Sequence, residues 1–281
     1  MKKSAIITTL LFINTLLIHA QDTQKILEFA NSQYDKQNYQ LALKEYQRVL
    51  FYTQNYTDTF LLLKIANAFN YTNNPEKAIA FYDIAYNLVS DTTIMNEITF
   101  TKAQLYIKNK QAYFALAELL TFNNFKNTNQ TKLYNFYCGI CYFTLENYNK
   151  AYLHFSECLS KTDTLLLHQL TKLYNKKSSF FYPNPNTAKI LSMAFPGMGQ
   201  LYSGDYKNSI NSFLLTTSLL TLGINISIKY KPLDAFLAIF PWFQRYHQGG
   251  FTHAKEIAIY QRNLNRSKTF NKTIEILNKS N

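Results

Sequence analysis

The sequence predicts an all-α protein, a helical solenoid followed by a membrane-embedded helical hairpin, and three observations predict it. Small residues recur at a fixed spacing over residues 24–160, Gly and Pro are nearly absent from the same stretch, and an uncharged run of 21 residues follows at Asn208–Ile228. With 47% hydrophobic and 16% charged residues in a chain of 281, there is enough apolar mass for a core and too little charge for general disorder. Seven Gly and three Cys exclude a collagen-like chain and a disulfide-dense miniprotein.

The start of the chain has the form of a secretory signal. Met1, Lys2 and Lys3 are followed by the uncharged, mostly aliphatic Ala5–Ile18 and by His19-Ala20 before the polar Gln21-Asp22. Residues 1–20 are therefore expected to be removed on export, with an uncleaved N-terminal anchor as the alternative. The remaining chain holds 16 basic and 13 acidic residues over 21–186 but 11 and 4 over 187–281, so the positive excess belongs to the C-terminal third.

The first part repeats. Ala42, Ala78, Ala115 and Ala151 follow one another at spacings of 36, 37 and 36 residues, and Ala30, Ala66, Ala103 and Gly139 each stand twelve residues earlier. Four residues after each alanine come Tyr46, Tyr82, Leu119 and Phe155. Two helices that each carry a small residue can pack closely there, with the large residue one turn on filling the gap to the next pair. A single pair cannot bury both of its faces, so the pairs are expected to stack.

On these residues the chain resembles the tetratricopeptide repeat family over about residues 24–160. KILEFANSQYDKQNYQLALKEYQRVL and LYNFYCGICYFTLENYNKAYLHFSECL are the best copies, with Tyr39 and Tyr148 at the aromatic position after the turn. The third copy departs most, with Lys102 where an apolar residue is expected, and 161–176 reads as a capping helix. The resemblance implies that the first helix of each pair lines a groove for a peptide or partner protein, held by Asn31, Tyr34, Asn67, Asn70, Tyr71, Gln104, Lys108, Phe136, Ile140 and Phe143. The plainer reading is that Asn simply abounds and that the apolar members pack against the capping helix. Cys138-Gly139-Ile140-Cys141 has the C-x-x-C form, but it lies within a helix and lacks both a second C-x-x-C and a strand-to-helix setting. Buried apolar packing accounts for it better than redox or metal chemistry.

Beyond a linker at 178–187, the run Asn208–Ile228 is long enough at 1.5 Å per residue to span roughly 30 Å of hydrocarbon. Eight of its residues from Asn211 onward are Asn, Ser or Thr, which predicts a partner helix to accept their hydrogen bonds. Two neighbours could supply it, Pro232–Tyr246, short and interrupted by Pro241, and the uncharged run Ile190–Gly204, broken at Pro196-Gly197. The expected organisation is 21–177 solenoid, 178–187 linker, 188–250 hairpin domain and 251–281 basic amphipathic helix and tail, the last packing on the hairpin or lying on anionic lipid. A soluble helical domain with an apolar core is the alternative to the hairpin.

Before the run stands Pro196-Gly197-Met198-Gly199-Gln200-Leu201-Tyr202-Ser203-Gly204. Phosphate-loop and dinucleotide fingerprints fail there, because Asp205 and Tyr202 occupy the positions of the required lysine and third glycine. Through Pro196, Gly197, Gly199, Gln200, Tyr202 and Gly204 it resembles the P-G-x-G-Q-x-Y-x-G signature of small membrane domains in bacterial envelope proteins, over about residues 187–266. That resemblance implies a structural turn at a membrane surface and carries no enzymatic role. The expectation is a non-enzymatic, membrane-anchored adaptor of the bacterial cell envelope, its repeats periplasmic, with another envelope protein or peptide and the lipid bilayer as partners, and with no cofactor, metal or nucleic acid. The alternative is a membrane protein handling a lipid or small molecule at the turn.

Overall fold

A computed structural model describes residues 23–122, 128–160, 162–176 and 178–280, so the expected signal at 1–20 lies outside the described residues. Among the described residues there are fourteen helices and no strand. The chain divides into two compact units, one ending at Leu145 and the other beginning at Glu146.

In the first unit, α1 (Thr23–Asp35) pairs with α2 (Tyr39–Thr53), α3 (Thr59–Tyr71) with α4 (Pro75–Leu88), and α5 (Thr92–Lys108) with α6 (Ala112–Leu120); α7 (Thr128–Thr144) closes it. Ala30, Ala42, Ala66, Ala78, Ala103 and Ala115 are all completely buried, as the repeat requires of the positions where paired helices touch. Tyr46, Tyr82 and Leu119, one turn after the second alanine, are buried with them. This is a stack of antiparallel helix pairs compatible with a tetratricopeptide-like repeat.

The turns within the pairs show how a stretch so poor in glycine stops its helices. Gln37, Asn73 and Lys110 adopt left-handed backbone at φ 62°, 58° and 61°, spaced like the alanines. In each turn two bonds close back on the helix, at 2.9 Å and 2.9 Å from Gln37 and Asn38, 3.0 Å and 2.9 Å from Asn73 and Asn74, and 3.0 Å and 2.8 Å from Lys110 and Gln111. These are Schellman stops with an ordinary side chain where glycine is preferred, and the bonds offset a strain of about 1–2 kcal/mol at each site.

Lys102, the misfit of the third copy, is buried and compensated. Its Nζ lies 2.5 Å from Asp83 Oδ1 on α4 and 2.8 Å from Glu118 Oε2 on α6. Burial pulls the ammonium pKa down, but the bonds from Asp83 and Glu118 outweigh it and leave Lys102 raised.

The second unit comprises α8 (Tyr148–Glu157), α9 (Thr164–Asn175), α10 (Ser178–Phe181), α11 (Pro185–Ala194), α12 (Met198–Tyr202), α13 (Tyr206–Lys229) and α14 (Pro232–Asn278). The segment expected as a linker is part of this core, because Phe180 is buried and stacks on Tyr148 with ring centroids 4.1 Å apart. α14 is one 47-residue helix, roughly 70 Å long. Pro241 does not interrupt it, and the expected amphipathic helix is its continuation. That continuation buries Ala254, Ala258, Thr269 and Thr273, packing on α9, α10 and α11.

Arg266 fastens the far half of α14. Its guanidinium is bidentate to Glu146 at 2.6 and 2.9 Å, while Nε donates to the Phe180 carbonyl at 2.9 Å. The fork uses the planar geometry that only arginine offers.

Candidate functional site

Two surfaces carry the residues singled out by the sequence. On the first unit, Tyr34, Tyr71, Asn67 and Asn70 come together on α1 and α3. Tyr39 and Tyr71 stack at 4.3 Å, Tyr34 meets both rings edge-on at 5.3 and 6.2 Å, and Lys64 Nζ sits 4.3 Å above the Tyr34 ring. Burial, then the neighbouring Tyr71 and Tyr39, push the Tyr34 hydroxyl up to about 12, so it stays a protonated donor at neutral pH. Tyr39 appeared in the sequence only as a turn residue, and Lys64 carried no signal at all.

Asn31 and Asn67 have a structural duty beside any binding role. Asn31 Oδ1 accepts from Tyr46 Oη at 2.8 Å, and Asn67 Oδ1 accepts from Tyr82 Oη in the equivalent place. The tyrosine after each repeat alanine thus reaches across its helix pair to the residue after the small one. In the third copy Leu119 offers no hydroxyl, and Gln104 instead donates to Tyr137 Oη on α7 at 2.5 Å. Lys108 stands exposed in the last turn of α5, where a cation suits the carbonyl end. Phe136, Ile140 and Phe143 are half-buried along α7.

Cys138 and Cys141 are fully buried, and burial pushes their thiols up to about 11 and about 12. Neither presents the accessible thiolate that exchange chemistry uses. Among the described residues no group of three or more His, Cys, Asp or Glu is placed to hold a metal ion.

On the second unit, the motif residues form a tight elbow between α11 and α13. Gln200 is buried; its Oε1 accepts from Ser192 Oγ at 2.7 Å and its Nε2 donates to the Gly250 carbonyl on α14 at 2.9 Å. Ser192 Oγ also accepts from the Gly199 amide at 2.9 Å, so one hydroxyl joins helix and turn. A Cβ at Gly199 would collide with the Ala188 carbonyl, and one at Gly197, where φ is 90°, with the Ser209 carbonyl. Tyr202 Oη accepts from the Asn184 amide at 3.2 Å, and its carbonyl accepts from Tyr182 Oη at 2.7 Å. Pro196 follows the last residues of α11 and opens the turn, and Gly204 supplies φ 85° before α13. Asp205 caps α13, and its bond from the Asn208 amide, at 3.0 Å, holds its carboxyl below the usual carboxylate range.

α13 and the first half of α14 form an antiparallel hairpin whose apolar side chains face outward. α13 is the one helix among those described that is long and apolar enough to cross a membrane, and only 11% of its most apolar window is buried. The core helix of a soluble protein would be mostly covered. Phe213, Leu214, Ile224 and Ile228 on α13, and Leu233, Phe236, Leu237 and Trp242 on α14, are all exposed. Ile190 on α11 is exposed as well, and Phe195 and Met198 continue the surface around a groove of about 570 Å³ shared with Tyr206, Ile210 and Phe213.

Two of the polar residues of α13 are accommodated differently from expectation. Thr216 Oγ1 donates to the Ser212 carbonyl at 2.7 Å and Thr221 Oγ1 to the Ser218 carbonyl at 2.9 Å, within their own helix rather than across to α14. His247 packs between Phe243 and Phe251, at 5.4 and 5.8 Å, whereas His253 is exposed.

No protein-family model matches this chain, and comparison with curated proteins finds no match.

Proposed function

We propose that this chain is a membrane-tethered adaptor of the bacterial cell envelope, without enzymatic activity, which holds a protein or peptide on the face of its tetratricopeptide-like repeats. The observation that carries this reading is the hairpin of α13 and α14, which turns large apolar side chains outward although each unit has its own buried core. Lipid is the solvent that such a surface suits. The signal-like residues 1–20 support export of the repeats to the periplasm, and the elbow motif supports an envelope setting.

The tyrosine and asparagine face of α1 and α3 supports the binding role. Rigid aromatic rings supply contact area at low entropy cost, and amides bond a peptide backbone. Exposed Tyr71 is a better probe than Asn67 or Asn70, because both asparagines bond the hydroxyl of buried Tyr82. Cell fractionation with alkaline extraction, with reporter fusions at residue 180 and the C-terminus, tests anchoring and orientation. Loss of co-purifying partners from Tyr71→Ala/Phe136→Ala, with folding intact, is the expected outcome for the groove; unchanged partners would remove it. The alternative, a turn that itself handles a lipid or small molecule, has less support because both ends of the Gln200 amide are engaged within the fold.

A further inference from the structure

The face of α14 turned away from α13 is polar at a level where the rest of the hairpin is apolar. Ile239 lies against Gly223 and Gly250 against Ser212, so Arg245, five residues before Gly250 on an antiparallel helix, stands level with Thr217. Thr217 is halfway along α13, roughly 17 Å from either end, beyond the reach of an arginine side chain snorkelling to the interface. Around this level the hairpin presents Leu214, Leu220 and Trp242 outward.

Pro241, Arg245, Gln248 and Thr252 follow one another at intervals of four, three and four residues, the spacing of a seam between two helices that cross at a shallow angle. With Gly249 they are exposed and line an open groove of about 580 Å³ along the helix. A Cβ on Gly249 would meet nothing within 4 Å, so a second helix backbone has room to approach there. Arg245 makes no ion pair among the described residues. Glu256, the one carboxylate along the groove, lies eleven residues further on, toward the elbow.

We propose that this face docks a transmembrane helix of another protein, one that carries an Asp or Glu level with Arg245 in the apolar layer. The assignment rests on the membrane reading above. A cation at this depth is costly in hydrocarbon and calls for a counter-charge, which a carboxylate supplies through two parallel bonds to the guanidinium while its helix covers the seam. Gln248 and Thr252 bring donors and acceptors for polar groups beside it. A lipid phosphate stays at the edge of the hydrocarbon and does not come to this level. A second copy of the chain fits less well: two copies inserted in the same direction are related by an axis along the membrane normal, which sets Arg245 against its own equivalent.

The test reconstitutes the full-length protein in phosphatidylcholine vesicles with a synthetic poly-leucine transmembrane helix, flanked by lysines and carrying one Glu at its centre. Association is read by energy transfer between labels on the two chains. Wild type is expected to bind the central-Glu peptide about tenfold more tightly than a central-Gln peptide, as for one charge-assisted contact. Arg245→Gln should abolish that preference, and Arg245→Glu should transfer it to a peptide with a central Arg, a gain that misfolding does not produce. Gly249→Leu, which blocks close approach, should weaken binding without loss of thermal stability. Equal binding of the Glu and Gln peptides by wild type, a preference unchanged in Arg245→Gln, no exchange in Arg245→Glu, or undiminished binding by Gly249→Leu would each overturn the proposal. So would an efficient disulfide between copies of Gln248→Cys formed at that position without peptide, which assigns the face to a second chain. Alkaline extraction of the wild-type protein separates the two failures: release from membranes sinks the membrane reading, while retention without a Glu preference sinks the docking face alone.

Discussion

The side-chain amide of Gln200 donates to the main-chain carbonyl of Gly250 at 2.9 Å, across fifty residues of chain. Its other end accepts from Ser192, so one buried side chain ties α11, the elbow and α14 together. Gly250 also brings α14 close to α13, because a Cβ there would lie 2.8 Å from Ser212 Oγ. Gly197, Gly199 and Gln200 of the motif thus belong with Gly250 to one packing arrangement at the base of the hairpin.

Gln200→Ala should lower the thermal stability of the detergent-solubilised protein, since Ser192 Oγ loses an acceptor and the Gly250 carbonyl a donor. The cost of leaving such groups unpaired is about 1–3 kcal/mol, read as a drop in Tm. A variant that keeps the wild-type Tm but loses function would favour a ligand role for the turn.

Gly199→Ala should cost about 3 kcal/mol, the upper end for overpacking, because the atom in the way is the Ala188 carbonyl and not a movable side-chain tip. Gly249→Ala, in open space on a helix, should be neutral or stabilising. Thermal melts of the two variants side by side check the contrast.

Lys110→Gly should stabilise the repeats by about 0.5–1 kcal/mol, by relieving the left-handed strain at φ 61° while keeping the Schellman bonds. Lys110→Ala should give no such gain. Denaturant midpoints distinguish the two.

Lys102→Ala should destabilise by about 1–3 kcal/mol, since it leaves Asp83 and Glu118 without their shared cation, while partial exposure of both acids limits the loss. Lys102→Met, which fills the same space, should cost less. The folded-state pKa of Lys102 is raised above 10.5, so its stabilisation is fully present below that pH and is lost as pH rises through the folded value. The stability difference between wild type and Lys102→Met should stay flat from neutral pH up to about 10 and change only above it; a change near pH 7 would refute the assignment.

Cys138 and Cys141 should resist alkylation at pH 8 in the folded protein and react fully once unfolded, because burial pushes both thiols up, to about 11 and about 12. Mass spectrometry after iodoacetamide treatment reads this directly. Rapid native labelling would show that α7 opens.

Periodicity alone determined the helical pairs, because Ala30, Ala42 and their equivalents must be small wherever two helix backbones approach, and each such position in the first unit is buried. The apolar, uncharged stretch at 208–228 likewise announced α13, since length and hydropathy are local properties of the chain. Only tertiary structure decided the rest. That Lys102 finds Asp83 and Glu118, that Gln200 reaches Gly250, and that α14 runs unbroken through Pro241 all depend on partners brought together by folding. The turns at Gln37, Asn73 and Lys110 were hidden for a related reason: hydrogen bonds and packing around them hold left-handed backbone that no glycine advertises.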